Sequence, residues 1–315
     1  MTVFLVRRVG TLALSLVVAS IVVFLVLSVL PGDPAQVILG ERATPDALAR
    51  VRARLGLDVP LWQQYLNWAG GMVRGDFGTS YLSELPIGPQ ISDRLAVTVP
   101  LALMGMALAI VVAIPLGVLA AARHRRLTDA AVSAVTQVGM AVPAFWAGIL
   151  LITVLSVRLG WFPAGGFTPW QQGVWPALRS LLLPAVSIAL VQAAILTRYV
   201  RSAVLEVLRD DFIRTARAKG LTRGRALLTH GLRNAAIPVI TVLGLQLSFL
   251  LAGAVVIENV FFLPGLGRML LSAIGERDLL LVQGTVLVLT AAVLIVNFVV
   301  DVLYHVLDPR LRAAT

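Results

Sequence analysis

Polar and apolar positions along this chain separate into blocks rather than alternating on the scale of a single turn. Six blocks, residues 9–30, 96–122, 130–157, 180–197, 234–257 and 279–300, contain no Asp, Glu, Lys, Arg or His. At about 1.5 Å per residue, roughly 20 residues cross the ~30 Å hydrocarbon core of a bilayer. The pattern therefore predicts an all-α integral membrane protein with six transmembrane helices. The first block follows Arg7 and Arg8 as a signal peptide would. It is longer than a usual apolar signal core of about 7–15 residues and ends at Pro-Gly-Asp-Pro with no small-x-small site before it, which predicts a retained helix.

The charged positions between the blocks give an orientation. Six spans place both termini on one side. That side carries Arg7, Arg8, Arg123, Arg125, Arg126, the nine basic residues of 198–233, Arg310 and Arg312, against six acidic residues. The other side carries ten basic residues against ten acidic ones. By the positive-inside rule, the N and C termini are expected in the cytoplasm. The expected layout is residues 1–30 as a cytoplasmic N-terminus and first span, 31–95 as an extracytoplasmic segment, and 96–315 as a five-helix core with a cytoplasmic loop at 198–233.

Composition narrows the function classes. The 58% hydrophobic content, 13% charged content and mean hydropathy of +0.91 leave the chain too apolar for a soluble domain, where charged residues approach a quarter. The net charge of +10 follows the membrane topology, which removes the case for nucleic-acid binding. The absence of cysteine excludes disulfides, thiol catalysis and thiolate metal sites, and three histidines make a His-rich metal site a poor fit. No block holds an ionisable group at mid-membrane depth, as an intramembrane enzyme would require. Asp301 and His305, at i and i+4, fall at the cytoplasmic end of the last span, and no catalytic or metal-binding residue is assigned.

Local signals mark the connecting segments. Thr44, Pro45 and Asp46 read as an N-cap, an N1 proline and a first-turn acid opening a short helix that Gly56 stops. Trp62, Tyr65 and Trp68 fit an interfacial aromatic belt. Pro115, Pro143, Pro184 and Pro238 lie in or at the starts of spans, where each removes a backbone hydrogen bond and bends the axis. In the 198–233 loop, Leu205, Leu208, Phe212 and Ala216 recur at spacings of three and four, which predicts one helix continuing to Gly220. Thr222 then caps a second helix carrying Ala226, Leu227 and His230. By periodicity, this stiff amphipathic stretch is equally a protein-docking surface and an interfacial helix whose arginines hold lipid headgroups.

The runs DFIRTARAKGL at 211–221 and HGLRNAAIP at 230–238 resemble the coupling loop of bacterial ABC import permeases, in particular the first permease subunit of dipeptide, oligopeptide and nickel importers. Arg214, Thr215 and Ala216 stand at that family's Glu-Ala-Ala triplet, Gly220 at its glycine, and His230, Leu232 and Arg233 at its closing Ile-x-Leu-Pro; the Glu and the Pro are absent. PGDP at 31–34, GDFGTSY at 75–81, AVPAFW at 141–146, ENVFFLPGLGR at 258–268 and DVLYHVLDPRLR at 301–312 are similar to the same subfamily, so the resemblance spans the chain.

It implies a type I importer permease of the bacterial cytoplasmic membrane. The implied partners are a second homologous permease, two ATPase subunits or one fused pair, and an extracytoplasmic substrate-binding protein. ATP and Mg would be held by the partners, with no cofactor in this chain; its one lysine, Lys219, lies in Ala-Lys-Gly-Leu and forms no Walker A motif. The implied ATPase-docking residues are Asp211, Arg214, Thr215, Ala216, Lys219, Gly220 and Leu221. The substrates implied are di- or oligopeptides, with nickel and glutathione as alternatives. Neutral polar residues within the blocks, Gln137, Gln192, Gln246, Ser248 and Asn297, are candidate pathway residues or interhelical hydrogen-bonding groups. An ion-coupled secondary transporter is the alternative of another class, though no internal repeat supports it. Residues 31–95 with the loop 258–278 are expected either to seat the binding protein or to shield the pore.

Overall fold

A computed structural model describes residues 2–29, 34–40, 43–54 and 56–307. The chain is helical because a bilayer offers no partner for open backbone N–H and C=O groups. Among the described residues, the one extended pairing is an isolated bridge between Thr79 and Pro86. The helices are α1 (Thr2–Val29), α2 (Pro34–Leu39), α3 (Pro45–Arg54), α4 (Leu61–Val73), α5 (Ile87–Ala122), α6 (Leu127–Ala141), α7 (Ala144–Leu151), α8 (Val174–Val207), α9 (Asp211–Ala218), α10 (Arg223–Ala226), α11 (Leu232–Val260), α12 (Leu266–Glu276) and α13 (Leu279–Leu307). Among the described residues, four helices are long and apolar enough to cross a membrane, and six spans result if each of two bent pairs counts as one.

The third block is not the single helix that its 28 uncharged residues predict. It breaks at Val142–Pro143, and the segments on either side meet at 96°. Proline cannot donate the next helical hydrogen bond, and it forces Val142 into extended geometry (φ −86°, ψ 121°). A π-helical turn, Ile152–Arg158, continues α7. Pro238 produces a milder bend of 46°, whereas Pro115 and Pro184 stay within continuous helices.

The chain divides into two compact units. The first is Val99–Leu263 with the first residues of the chain and the last helix from Val296. Its centre is α8, whose buried positions are mostly small: Ala185, Ser187, Ala189, Ala193 and Ala194. A Cβ added at Gly117 would lie 2.7 Å from Val200 Cβ, and one at Gly105 would lie 3.1 Å from Ile188 Cγ2. Twelve residues separate both pairs in the same sense, so α5 and α8 run parallel. Gly139 of α6 meets Ala194, and Gly148 of α7 meets Ser187 and the Phe261 ring. Gly244 faces Val300 while Ser248 donates to Asn297 at 3.2 Å, a descending register that makes α11 and α13 antiparallel. Phe4 stacks on His305, with ring centroids 3.9 Å apart.

The second unit comprises Val6–Thr98 and Pro264–Ile295. Its α3 has the expected cap, Ala47 N–H donating to Thr44 Oγ1 at 3.3 Å, and Gly56 stands at φ +65° beyond its end. Tyr65 and Trp68 are half-buried, both rings lying against Phe24 of α1, and Tyr65 Oη is 2.9 Å from Ser20 Oγ. Trp62 remains exposed. Ile87, Ile91, Leu266, Ala273 and Val282 form the apolar core. Buried Asp278 accepts from Ser80 Oγ and from the Leu281 N–H, and Thr98 Oγ1 accepts from the Leu266 N–H at 2.9 Å. These bonds bring the loop 78–86 and residues 264–281 into one body.

The close approach of α5 to α8 gives a direct test. Gly117→Val should overpack the crossing by about 1–3 kcal/mol, lowering the thermal midpoint of the detergent-solubilised protein. Gly253→Ala, where an added methyl meets open space, should leave that midpoint unchanged.

Candidate functional site

The loop between α8 and α11 does not hold the single helix that its apolar spacing predicts. The helix ends at Val207, and a turn at Leu208–Asp210 resets the direction before α9 begins. Asp211 in the first turn and Arg217 in the last match the helix dipole. At its C-terminus, the Gly220 N–H donates to Arg217 O at 3.0 Å and the Leu221 N–H to Ala216 O at 3.2 Å, with Gly220 at φ +92°. This is the paired Schellman closure that a C′ glycine permits. Thr222 Oγ1 then accepts from the Arg225 N–H at 3.4 Å and opens α10. A π-helical turn, Leu227–Gly231, carries α10 into α11.

One face of α9 is anchored. Ile213 and Ala216 are buried in a cluster with Val204, Val207, Ala226 and Leu227, and Gly231 leaves room for the Leu227 and Val207 side chains of that cluster. Of the seven residues singled out in the sequence, Asp211, Arg214, Thr215, Lys219 and Gly220 are exposed and Leu221 is half-buried. Ala216 is buried, and its role is to hold the helix down. Arg214 pairs with Asp211, both largely exposed. Because the apolar face is consumed by the protein's own core, the outward surface is polar, with Phe212 its one large apolar side chain. That geometry favours a protein partner over a bilayer interface, which needs a continuous apolar face.

The neutral polar candidates separate. Ser248 and Asn297 satisfy each other. Gln137 is exposed, and Gln192 is half-buried with Oε1 unpartnered. Gln246 is 6% exposed, and neither its Nε2 nor its Oε1 has a protein partner. Buried Thr197 Oγ1, absent from the sequence-based set, is also unpartnered. Such groups are costly to bury unless water or a ligand completes them. Among the described residues, no three of His, Asp or Glu gather where they would hold a metal.

Reasoning from charge blocks also misses the cluster of Asp129, Arg201 and His124. It treats all three as loop charges, whereas Asp129 is 5% exposed and its carboxylate takes a two-pronged bond from Arg201. The sequence signal was the position of Asp129 two residues inside α6, where an acid suits the helix N-terminus.

Residues 113–313 match the family described as the binding-protein-dependent transport system inner membrane component, and residues 1–102 match the N-terminal region of such membrane components. The chain belongs to this family. It is 43% identical over 312 residues to a putative peptide transport system permease protein of Brucella abortus (strain 2308), with 99% of each chain covered. Identity is 38%, with 98% of each chain covered, both to the dipeptide transport system permease protein of Escherichia coli K12 and to a glutathione transport system permease protein of Escherichia coli O1:K1 / APEC. A chain of the inward-facing MetNI methionine ABC transporter shares the fold, with a TM-score of 0.59 at 17% identity, covering 70% of this chain and 96% of that one. The protein is thus a multi-pass membrane permease of a binding-protein-dependent importer, a family of transport components and not of catalysts.

If α9 is held by its buried face, Ile213→Ala should destabilise the loop by about 2–4 kcal/mol, read as faster amide exchange across residues 211–219. Phe212→Ala, on the outward side, should leave the exchange rate near parental.

Proposed function

We propose that this permease forms, with a second homologous permease, the path by which an ATP-driven importer brings small peptides into a bacterial cell. The observation that carries the reading is the near-complete alignment with peptide permeases, joined to a helix whose one face is anchored and whose other is polar and exposed. Dipeptides and glutathione, the cargoes named for the relatives, are both small, polar and amide-bearing. Unpartnered Gln246, Gln192 and Thr197 suit transient hydrogen bonding to such a substrate. The neutrality of the path suits passage without tight capture. Nickel finds no comparable support, since the three histidines lie outside the uncharged blocks.

The proposed topology is six spans with both termini on the side of α9. Parallel packing of α5 and α8 supports it, because the connecting segment must then return across the membrane, making α6 and α7 one broken span. Antiparallel α11 and α13 bring the end of α13 back to the side where α8 ends, and Phe4 stacks there on His305. On that side α9 docks an ATPase subunit through Asp211, Arg214, Thr215, Lys219 and Gly220. On the other side, residues 43–95 and 264–278 form the seat for the binding protein. The bonds of Asp278 to Ser80 stiffen that seat, and burial beside the Asp278 carboxylate pushes the Tyr81 phenol above its ordinary pKa, so it stays neutral.

Two experiments test this reading. In a chain without native cysteine, Thr222→Cys should resist an impermeant thiol reagent in intact cells while Ser83→Cys reacts; the reverse labelling would invert the topology. Gly220→Val should uncouple ATP hydrolysis from uptake because a β-branched residue strains φ +92° by about 1–2 kcal/mol, even though space around the position is open. Gly220→Asn, which tolerates that conformation, should retain coupling, and equal transport by the two variants would defeat the docking assignment.

A further inference from the structure

Asp129 sits in the first turn of α6, almost fully enclosed, with every bond on its carboxylate directed at one job. Arg201 Nε donates to Oδ1 at 2.6 Å and Arg201 Nη2 to Oδ2 at 2.9 Å. Oδ2 also lies 3.0 Å from His124 Nδ1 and accepts the Arg125 backbone N–H at 3.0 Å. Arg125 is held at φ 64°, a left-handed conformation uncommon for a residue with a side chain. The carboxylate thus fixes both a guanidinium on α8 and the tight turn that launches α6. A planar fork of this kind is directional as well as strong, whereas the approach of Gly139 to Ala194 between the same two helices is a smooth apolar contact.

The two ends of this tie belong to different working parts. Arg201 is six residues before the end of α8, and the turns that follow it, through Ala203, Val204 and Val207, form the bed in which Ile213 and Ala216 of α9 are set. Displacement of α9 therefore moves Arg201 with it. Asp129 begins the helix that runs to the 96° break at Val142–Pro143. We propose that Asp129 and Arg201 are positioning residues that transmit displacement of α9 into the broken span α6–α7, so that the ion pair, and not apolar contact alone, couples the ATPase stroke to opening of the path. This inference rests on the reading of α9 as the ATPase-docking helix.

The test uses the complete importer in proteoliposomes, with its partner permease, ATPases and binding protein, and compares Asp129→Asn and Arg201→Lys with the parent. Three quantities are read: ATPase retained on the permease, ATP hydrolysed, and peptide transported per ATP. Spin labels on Ala218→Cys and Val138→Cys, both exposed positions, report the movement of α9 relative to α6 as ATP binds. The expected result is normal retention of the ATPase, hydrolysis within about threefold of parental, and transport per ATP reduced about tenfold in Asp129→Asn. Arg201→Lys, which keeps the charge and loses the fork, should fall between that variant and the parent. The nucleotide-dependent change in label distance should differ from that of the parent in Asp129→Asn. Parental transport per ATP in an assembled variant, or a proportional loss of hydrolysis and transport with an unchanged label distance, would overturn the proposal and leave the pair a structural tie. The docking reading fails separately, if Arg214→Glu with Arg217→Glu retains the ATPase at the parental level.

Discussion

The first unit depends on how closely other helices can approach α8. Within a bilayer, apolar side chains gain nothing by leaving lipid for protein, so helices associate through dispersion contacts and hydrogen bonds that require short distances. Alanine and serine along Val174–Val207, met by Gly105, Gly117, Gly139 and Gly148, supply those distances. Larger residues at these crossings would hold the helices apart and weaken the packing on several elements at once. The close course of α5 beside α8 and the seating of both arms of the α6–α7 break on α8, Gly139 at Ala194 and Gly148 at Ser187, rest on this one set of contacts.

The same helix links packing to transport. Its last turns leave the small-residue region and present Val204 and Val207 to Ile213 and Ala216, converting a membrane helix into the bed for a short polar-faced one. On that face Phe212 is the one large apolar side chain, too little for a continuous lipid-facing stripe, which supports the proposed protein docking. Elsewhere in the unit, Gln192, Thr197 and Gln246 keep neutral groups without a protein partner, and Ser248 donates to Asn297. Under the proposed function, such neutral, incompletely bonded groups would hold a polar solute weakly enough to release it.

Much of this was legible in the sequence, because bilayer thickness imposes a length that charges interrupt visibly. The Thr44 cap, the Gly220 terminus and the Thr222 cap depend on near neighbours in sequence, and the structure shows each of them; among the described residues, four of the six blocks lie in single long apolar helices and two in bent pairs. What could not be read depends on distant partners or on backbone geometry within an apolar run. Nothing in the composition of residues 130–157 distinguishes a bent pair from a straight helix, and Pro143 breaks the axis where Pro184 does not. The stripe from Leu205 to Ala216 has ideal helical spacing, yet the chain turns at Leu208–Asp210 so that Ile213 reaches the core. Asp129 and Arg201 read as two loop charges because 72 residues separate them. Which of the docking residues point outward, and that Ala216 does not, required the fold.

The proposed transport of peptides depends on a stroke delivered to this chain from outside itself. It is tested most directly by reconstituting the permease with its partner subunits in vesicles, trapping ATP on the side of α9, and adding binding protein and a labelled dipeptide on the other side. The dipeptide should accumulate against its gradient, and accumulation should be lost when either ATP or binding protein is omitted. Accumulation by the permease alone under an imposed proton or sodium gradient, with no ATPase present, would contradict it.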